Sequence, residues 1–252
     1  MNIAAPVDTM IPGLRRLWKA AFGDTEEFLD SFFSTAYAPE CCRCVVEDGA
    51  VAAALYWFDC GLEGVRLAYL YAVATDPAYR GRGLCRSLMA DTMDVLTAAG
   101  YRGAILVPQE EGLIRMYAGM GFVPCSGVRE FHALAAENPI PVRRVDAVEF
   151  ARLRRGLLPE GGVVQEGENL RFLACQAELY AGEGWTAAVA EVDGTLWCPE
   201  FLGDPLLAPG LVKALGYREG GFRVAGEERP FAMFRPLTGD CPRPAYFGFA
   251  FD

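Results

Sequence analysis

Apolar positions along this chain follow two periods, and the change from one to the other marks out its elements. Leu84, Leu88, Met89, Met93 and Leu96 recur at three- and four-residue spacing and predict an amphipathic helix that stops at Gly100. Immediately before it, residues 67–75 form an unbroken apolar and aromatic run, the pattern of a buried strand. Residues 104–107 repeat that pattern in a shorter form. Upstream, the spacing predicts helices over 12–22 and 26–37. A hairpin over 43–58 follows, turning at Asp48-Gly49, a pair that tolerates the positive φ of a tight turn. Downstream come a short helix around Tyr117 and strands over 122–134. Strands alternating with helices predict an α/β (α+β) domain with a mixed sheet.

Between the strand ending at Thr75 and the helix starting at Leu84 lies Tyr79-Arg80-Gly81-Arg82-Gly83-Leu84-Cys85-Arg86. A helix N-terminus presents unpaired N–H groups and the positive end of its dipole, and two glycines let an anion approach the backbone. The spacing excludes two phosphate loops. A dinucleotide fingerprint would need glycine where Arg86 stands, and no Gly-Lys-Ser/Thr string exists for a P-loop. The string does fit Arg-x-x-Gly-x-Gly/Ala at every position but the last, where Cys85 stands. In this it resembles the acetyl-CoA loop of the GNAT (Gcn5-related) N-acetyltransferases. Read without the resemblance, a Gly/Arg strand-turn-helix can also be a tight connection.

The next segment, Leu113-Ile114-Arg115-Met116-Tyr117-Ala118-Gly119-Met120-Gly121-Phe122, extends the similarity. The family pattern places a tyrosine four residues before a Gly-Phe pair, and Tyr117 occupies that position. The resemblance implies a splayed mixed sheet flanked by helices and a pantetheine arm paired to the backbone of Val73, Ala74 and Thr75. It also implies a pyrophosphate held by the loop from Arg80 through Gly81, Arg82, Gly83, Leu84, Cys85 and Arg86. Tyr117 would protonate the departing thiolate; a phenol has a pKa near 10 and is a competent donor. On the residues alone, Tyr117 can equally be a packing aromatic.

A proline-broken connector, Asn138-Pro139-Ile140-Pro141, divides the chain into a CoA-binding domain at 1–137 and a smaller part at 142–252. The second part reads as a worn copy. It has an opening strand at 142–145, helices near 149–158 and 169–179, and a hairpin at Asp193-Gly194 that echoes Asp48-Gly49. A short helix before Gly216-Tyr217 echoes the Tyr117 segment. Only 22 residues separate Gly194 from Gly216, against 72 from Gly49 to Gly121, so the glycine loop and its helix have no room. The second half is expected to bind no CoA, and to complete the substrate cleft or support a homodimer. Chance hairpin signals in an unrelated module are the alternative. Tandem active and degenerate domains occur in the GNAT superfamily, and the loop and Glu111-Gly112 are also similar to the Eis-type acetyltransferases.

Composition adds exclusions. Apolar residues make up 52% of the chain, enough for a packed core, and the longest early apolar run, Val51 to Phe58, is far too short to span a bilayer. No signal sequence is evident, and nine cysteines without a regular framework fit a reducing cytoplasm. Cys41, Cys42 and Cys44 cluster, but His132 is the chain's one histidine and no Cys-x-x-Cys occurs, so no metal site is expected. With 33 acidic against 23 basic residues, nucleic acid is an unsuitable partner and a cationic amine a suitable one. The arginines of 143–155 are expected on the solvated face of a helix that turns Phe150, Leu153 and Leu157 inward.

The central strand lacks the carboxylate that many family members use as general base; Leu67, Tyr69 and Tyr71 stand there instead. Glu26, Glu27, Glu110, Glu111 and the terminal carboxylate of Asp252 are the candidates, or no dedicated base is needed. The resulting expectation is a cytoplasmic enzyme moving acetyl from acetyl-CoA to a primary amine of a small molecule or peptide by direct attack. A CoA-binding sensor without turnover, and an acyltransferase with a cysteine nucleophile such as Cys85, are the alternatives.

Overall fold

The structure, a computed structural model, describes residues 2–250. Strand β1 (Asn2–Ala4) precedes α1 (Ile11–Phe22), which has Pro12 in its first turn and ends on Gly23 at φ 77°. Helix α2 (Glu26–Thr35) starts where the Thr25 hydroxyl accepts from Phe28 N–H at 3.2 Å. Strands β2 (Cys42–Glu47) and β3 (Ala50–Leu62) form the expected hairpin, with Asp48 at φ 51° and Gly49 at φ 76°. Then come β4 (Val65–Thr75), α3 (Leu84–Ala98), β5 (Gly103–Leu106), α4 (Glu111–Ala118) and β6 (Val123–Leu134). The stretch read as several strands after Phe122 is one long strand.

The rest of the chain contributes β7 (Arg143–Arg144), α5 (Ala147–Leu157), β8 (Val164–Gln165), α6 (Glu168–Gln176), β9 (Glu178–Gly182) and β10 (Trp185–Val192). It continues with β11 (Thr195–Leu202), α7 (Ala208–Ala214), β12 (Glu219–Ala225) and β13 (Arg229–Pro236). The strands join in one mixed sheet of order β1-β2-β3-β4-β5-β13-β6-β12-β11-β10-β9-β7, with β8 paired to β3. Strand β13 therefore lies between β5 and β6, both from the first half. Strand β6 is shared, pairing β13 through Val123–Val128 and β12 through Val128–Leu134.

Each half shows antiparallel strands followed by a parallel crossover, β4 to β5 and β11 to β12. In the second crossover α7, of seven residues, stands where the 15-residue α3 stands in the first. The echo between α7 and the Tyr117 helix is thus local in sequence; topologically α7 replaces α3.

Every apolar residue of the predicted α3 stripe is buried, and these pack on one face of the sheet with Tyr117 and Phe122. The opposite face carries Trp18, Phe32, Tyr56, Phe58 and Phe172, with Phe247 of the C-terminal tail. Two features differ from the expected pattern. Helix α6 stops at Gln176 rather than 179, because Glu178–Val189 pairing draws the following residues into β9. Arg154 is not solvated; it is 1% exposed and ion-paired to Glu200, equally buried, at 2.7 Å.

Candidate functional site

Strands β4 and β5 are parallel over three rungs only, from Leu67↔Gly103 to Tyr69↔Ile105. Beyond Tyr69, β4 continues to Thr75 with no strand along that edge among the described residues. On its other edge the register with β3 slips between Tyr56↔Tyr71 and Ala54↔Ala74, so Ala72 and Val73 oppose Leu55 alone. This is a bulge, and Ala72 adopts φ 48° within it. Left-handed backbone costs an alanine about 1–2 kcal/mol, so neighbouring ladder bonds must hold it. The result is a stretch of β4, from Leu70 to Thr75, whose β5-side edge has no strand beside it among the described residues. Val73 lines the cavity described below, while Ala74 and Thr75 carry the same strand on toward the glycine loop.

At the end of β4 the chain makes a short turn in which the Asp76 side chain accepts from Ala78 N–H. Gly81 at φ 77° and Gly83 at φ 78° take left-handed backbone, and a Cβ on either would meet no atom within 4 Å. The first helical bond of α3 is Ser87 N–H to the Gly83 carbonyl at 3.1 Å, so the N–H groups of Leu84, Cys85 and Arg86 have no intrahelical acceptor. Three arginines surround this opening through carbonyl anchors. Arg80 Nε donates to Thr75 O (3.2 Å), Arg82 to Ala78 O (3.2 Å), and Arg86 to Gly119 O (3.0 Å). Cys85 is half-buried, and burial pushes its thiol pKa up.

Tyr117 is buried near the end of α4, with its ring edge-on to Phe122 at 5.9 Å. Burial raises its phenol pKa, with the Cys85 sulfur a second contribution. Tyr117 lines a cavity of about 530 Å³ together with Trp18, Phe28, Tyr69 and Tyr71. The opposite wall comes from the second half, including Leu173, Gln176, Trp197 and Pro199, and Ala250 of the tail completes it. The two halves thus share one cleft.

Among the described residues, none of the acids singled out in the sequence lines this cavity. Glu26 pairs with Arg15 (2.5 Å) and Lys19 (2.7 Å), Glu27 and Glu110 are exposed, Glu111 faces Arg115 at 3.8 Å, and Asp252 lies outside the described residues. The carboxylate among the lining residues is Asp24, which the sequence reading passed over. Gly23 ends α1 and turns the chain so that Asp24 Oδ2 accepts from Trp18 Nε1 at 2.7 Å. A helix-terminating glycine followed by an acid was the one available signal.

No group of three or more metal-ligating side chains occurs among the described residues; Cys42 and Cys44 are buried in β2, whereas Cys41 ends the short turn before it. No helix among them is long and apolar enough to cross a membrane.

Comparison with known proteins places this geometry. A family model described as an acetyltransferase (GNAT) domain matches residues 4–125. A GCN5-related N-acetyltransferase from Kribbella flavida superposes with a TM-score of 0.71 at 19% identity, covering 94% of this chain and 72% of that one. One from Anabaena variabilis gives 0.73 at 14% identity over 94% and 73%. Eis1 from Mycobacterium abscessus gives 0.64 at 13% over 94% and 74%. These likenesses show the fold, and their coverage extends it through the second half. No curated protein matches the chain significantly in sequence. Residues 4–125, just under half of the chain, carry the match to the GNAT acetyltransferase domain, a family whose enzymes draw their acyl group from acyl-CoA.

Proposed function

We propose that this protein transfers an acetyl group from acetyl-CoA to a primary amine that enters the cleft between its two halves. The observation that carries the reading is the alignment, along one open strand edge, of three features. These are the N–H groups at the start of α3 that have no intrahelical acceptor, the edge of β4 after Tyr69 along which no strand runs among the described residues, and Tyr117 on the cavity wall. The residues fit the cofactor. The glycines leave open space where a pyrophosphate must come close, and the β4 edge offers hydrogen bonds to an amide-bearing arm.

Acetyl-CoA supplies the thioester carbonyl that the amine nitrogen attacks. The backbone of Leu84–Arg86, with Gly81 and Gly83, holds the pyrophosphate, and the side chains of Arg80, Arg82 and Arg86 set a positive field around it. Val73, Ala74 and Thr75 align the pantetheine arm. Tyr117 donates its proton to the departing sulfur and regains the one that the new amide nitrogen sheds. Burial raises the phenol pKa, but it also raises that of a thiolate leaving into the same wall, so donor and acceptor move together.

Asp24, inside an aromatic cavity, favours a cationic acceptor. Its Oδ2 is held by Trp18, and Trp197, Tyr69 and Tyr71 supply π faces for an ammonium group. The second half, residues 142–252, forms the acceptor wall and carries no CoA loop, so the chain holds one CoA. The test is acetyl-CoA consumption with the intact protein across polyamines, aminoglycosides, amino acids and peptides, with product mass read directly. Acetylation of at least one cationic amine is expected. CoA binding with no turnover on any of them would reduce the protein to a CoA-binding module.

A further inference from the structure

Resting on that reading, the geometry points to Arg86 and Arg235 as a pair of positioning residues that couple the occupied pyrophosphate loop to the placement of Tyr117. Helix α4 is short, and its last carbonyls, Tyr117 O and Ala118 O, accept from the N–H groups of the turn that follows it. Two of the carbonyls just past its end are held by arginines from elsewhere. Arg86 NH1 donates to Gly119 O at 3.0 Å, and Arg235 NH1 donates to Met120 O at 2.9 Å. The Arg235 guanidinium stem also runs alongside Gly121, which stands at φ 88° and would bring a Cβ within 3.6 Å of it. Positive charge at a helix C-terminus is favourable, so both contacts stabilise the turn that ends the Tyr117 helix.

The two arginines come from functionally different places. Arg86 is the third residue of α3, so its backbone N–H belongs to the opening that takes the pyrophosphate while its side chain reaches the Tyr117 turn. One residue therefore spans both sites. Arg235 lies on β13, the strand that the distal part of the chain inserts between β5 and β6. The turn itself folds back on Tyr117, whose carbonyl accepts from Met120 N–H (2.9 Å) and Phe122 N–H (3.1 Å). Shifting Gly119 or Met120 thus shifts the segment that fixes Tyr117. When the loop closes on an anion, Arg86 tightens against Gly119; when β13 is in place, Arg235 fixes Met120. Tyr117 becomes well placed only with both.

The experiment compares Arg235→Met, Arg235→Lys and Arg86→Met with wild type, using acetyl-CoA and an acceptor found active. For Arg235→Met we expect kcat to fall about tenfold, the scale of a modest misplacement of a catalytic group, with CoA affinity little changed. Arg235→Lys keeps one donor and should recover part of the loss. Hydrogen exchange supplies a readout that a merely structural role would not move. CoA should protect the amides of residues 119–122 in wild type, and that protection should be lost in Arg86→Met even at saturating CoA. Variants with wild-type kcat and unaltered CoA-dependent protection would overturn the coupling while leaving acetyl transfer intact. A wild-type protein that binds no CoA by calorimetry would overturn the functional reading, and the coupling with it.

Discussion

Replacing Arg154 by Met tests how the second half and the C-terminal tail are locked against the cleft. Arg154 and Glu200 are each 1% exposed and joined by two bonds, Nε to Oε2 at 2.7 Å and NH2 to Oε1 at 2.9 Å. Arg154 also donates to Val163 O at 3.2 Å and lies over the Phe249 ring, 4.5 Å from its centroid. Glu200 Oε1 takes a further bond from the Tyr246 hydroxyl at 2.9 Å, and Gln165 bonds the Phe249 backbone through both its amide atoms. Removing the guanidinium leaves a carboxylate in the interior with one neutral donor, which costs about 3–5 kcal/mol. At about 2–4 °C per kcal/mol for a chain of this size, Tm should drop by about 6–20 °C. Adding Glu200→Gln removes the stranded charge but keeps an acceptor for Tyr246, so the double variant should recover most of the loss. Urea unfolding at constant m gives the free energies, and initial rates give the functional arm. Because the network seats the tail and Ala250 lines the cleft, KM for the amine should rise more than that for acetyl-CoA. A single variant within about 1 kcal/mol of wild type, or a double variant no better than the single, would show that the charge is not confined as the geometry requires.

Five further outcomes follow from the site. Gly83→Glu places a carboxylate where the anion must approach and forces a side chain onto a φ of 78°, so calorimetry should find CoA binding abolished; unchanged affinity removes the loop from the site. Tyr117→Phe should keep CoA affinity and lower kcat about 10²-fold. Since burial raises the Tyr117 pKa, the phenol stays protonated through the ordinary range. In wild type kcat/KM should therefore climb with pH as the amine loses its proton, with no descending limb below about pH 10. A fall starting near neutrality would assign the acid role to another group. Asp24→Asn should raise KM for a cationic acceptor about 10- to 100-fold and leave that of a neutral-headed amine analogue nearly unchanged; equal effects on both would make Asp24 a support for Trp18 alone. Native mass spectrometry of the intact chain should count one CoA, and two would show that the second half carries a loop of its own.

Local chemistry made much of the first half legible. Asp48-Gly49 and Asp193-Gly194 each turn a hairpin at positive φ, and the α3 stripe buries the residues its spacing selected. The glycine loop and Tyr117 stand out in the sequence because each belongs to a short string whose conformation is set by adjacent residues. What the sequence withheld is pairing at long range. Arg154 sits in a helix with other arginines, and nothing near it marks it for burial; its partner Glu200 lies on β11, 46 residues away. Asp24 was one acid among several around a helix end, and only the folded α1 decides which of them faces the cleft.

The reading that divided the chain at 138–141 meets its sharpest physical qualification in β13. A strand can insert between two others only where both facing edges are free, and the gap between β5 and β6 is filled from residues 229–236, far beyond the connector. That strand bonds β5 through Gly103–Leu106 and β6 through Val123–Val128, on either side of the helix that carries Tyr117. A chain ending near Glu137 would expose both edges and lose Phe231 and Phe234 from the core, so it should aggregate rather than report the first half's affinity for CoA. Neither half completes its own sheet, although on the function proposed above one would bind CoA and the other would shape the acceptor wall. On that proposal catalytic placement and folding depend on the same interlock, because the strand that closes the sheet also delivers Arg235 to the turn behind Tyr117.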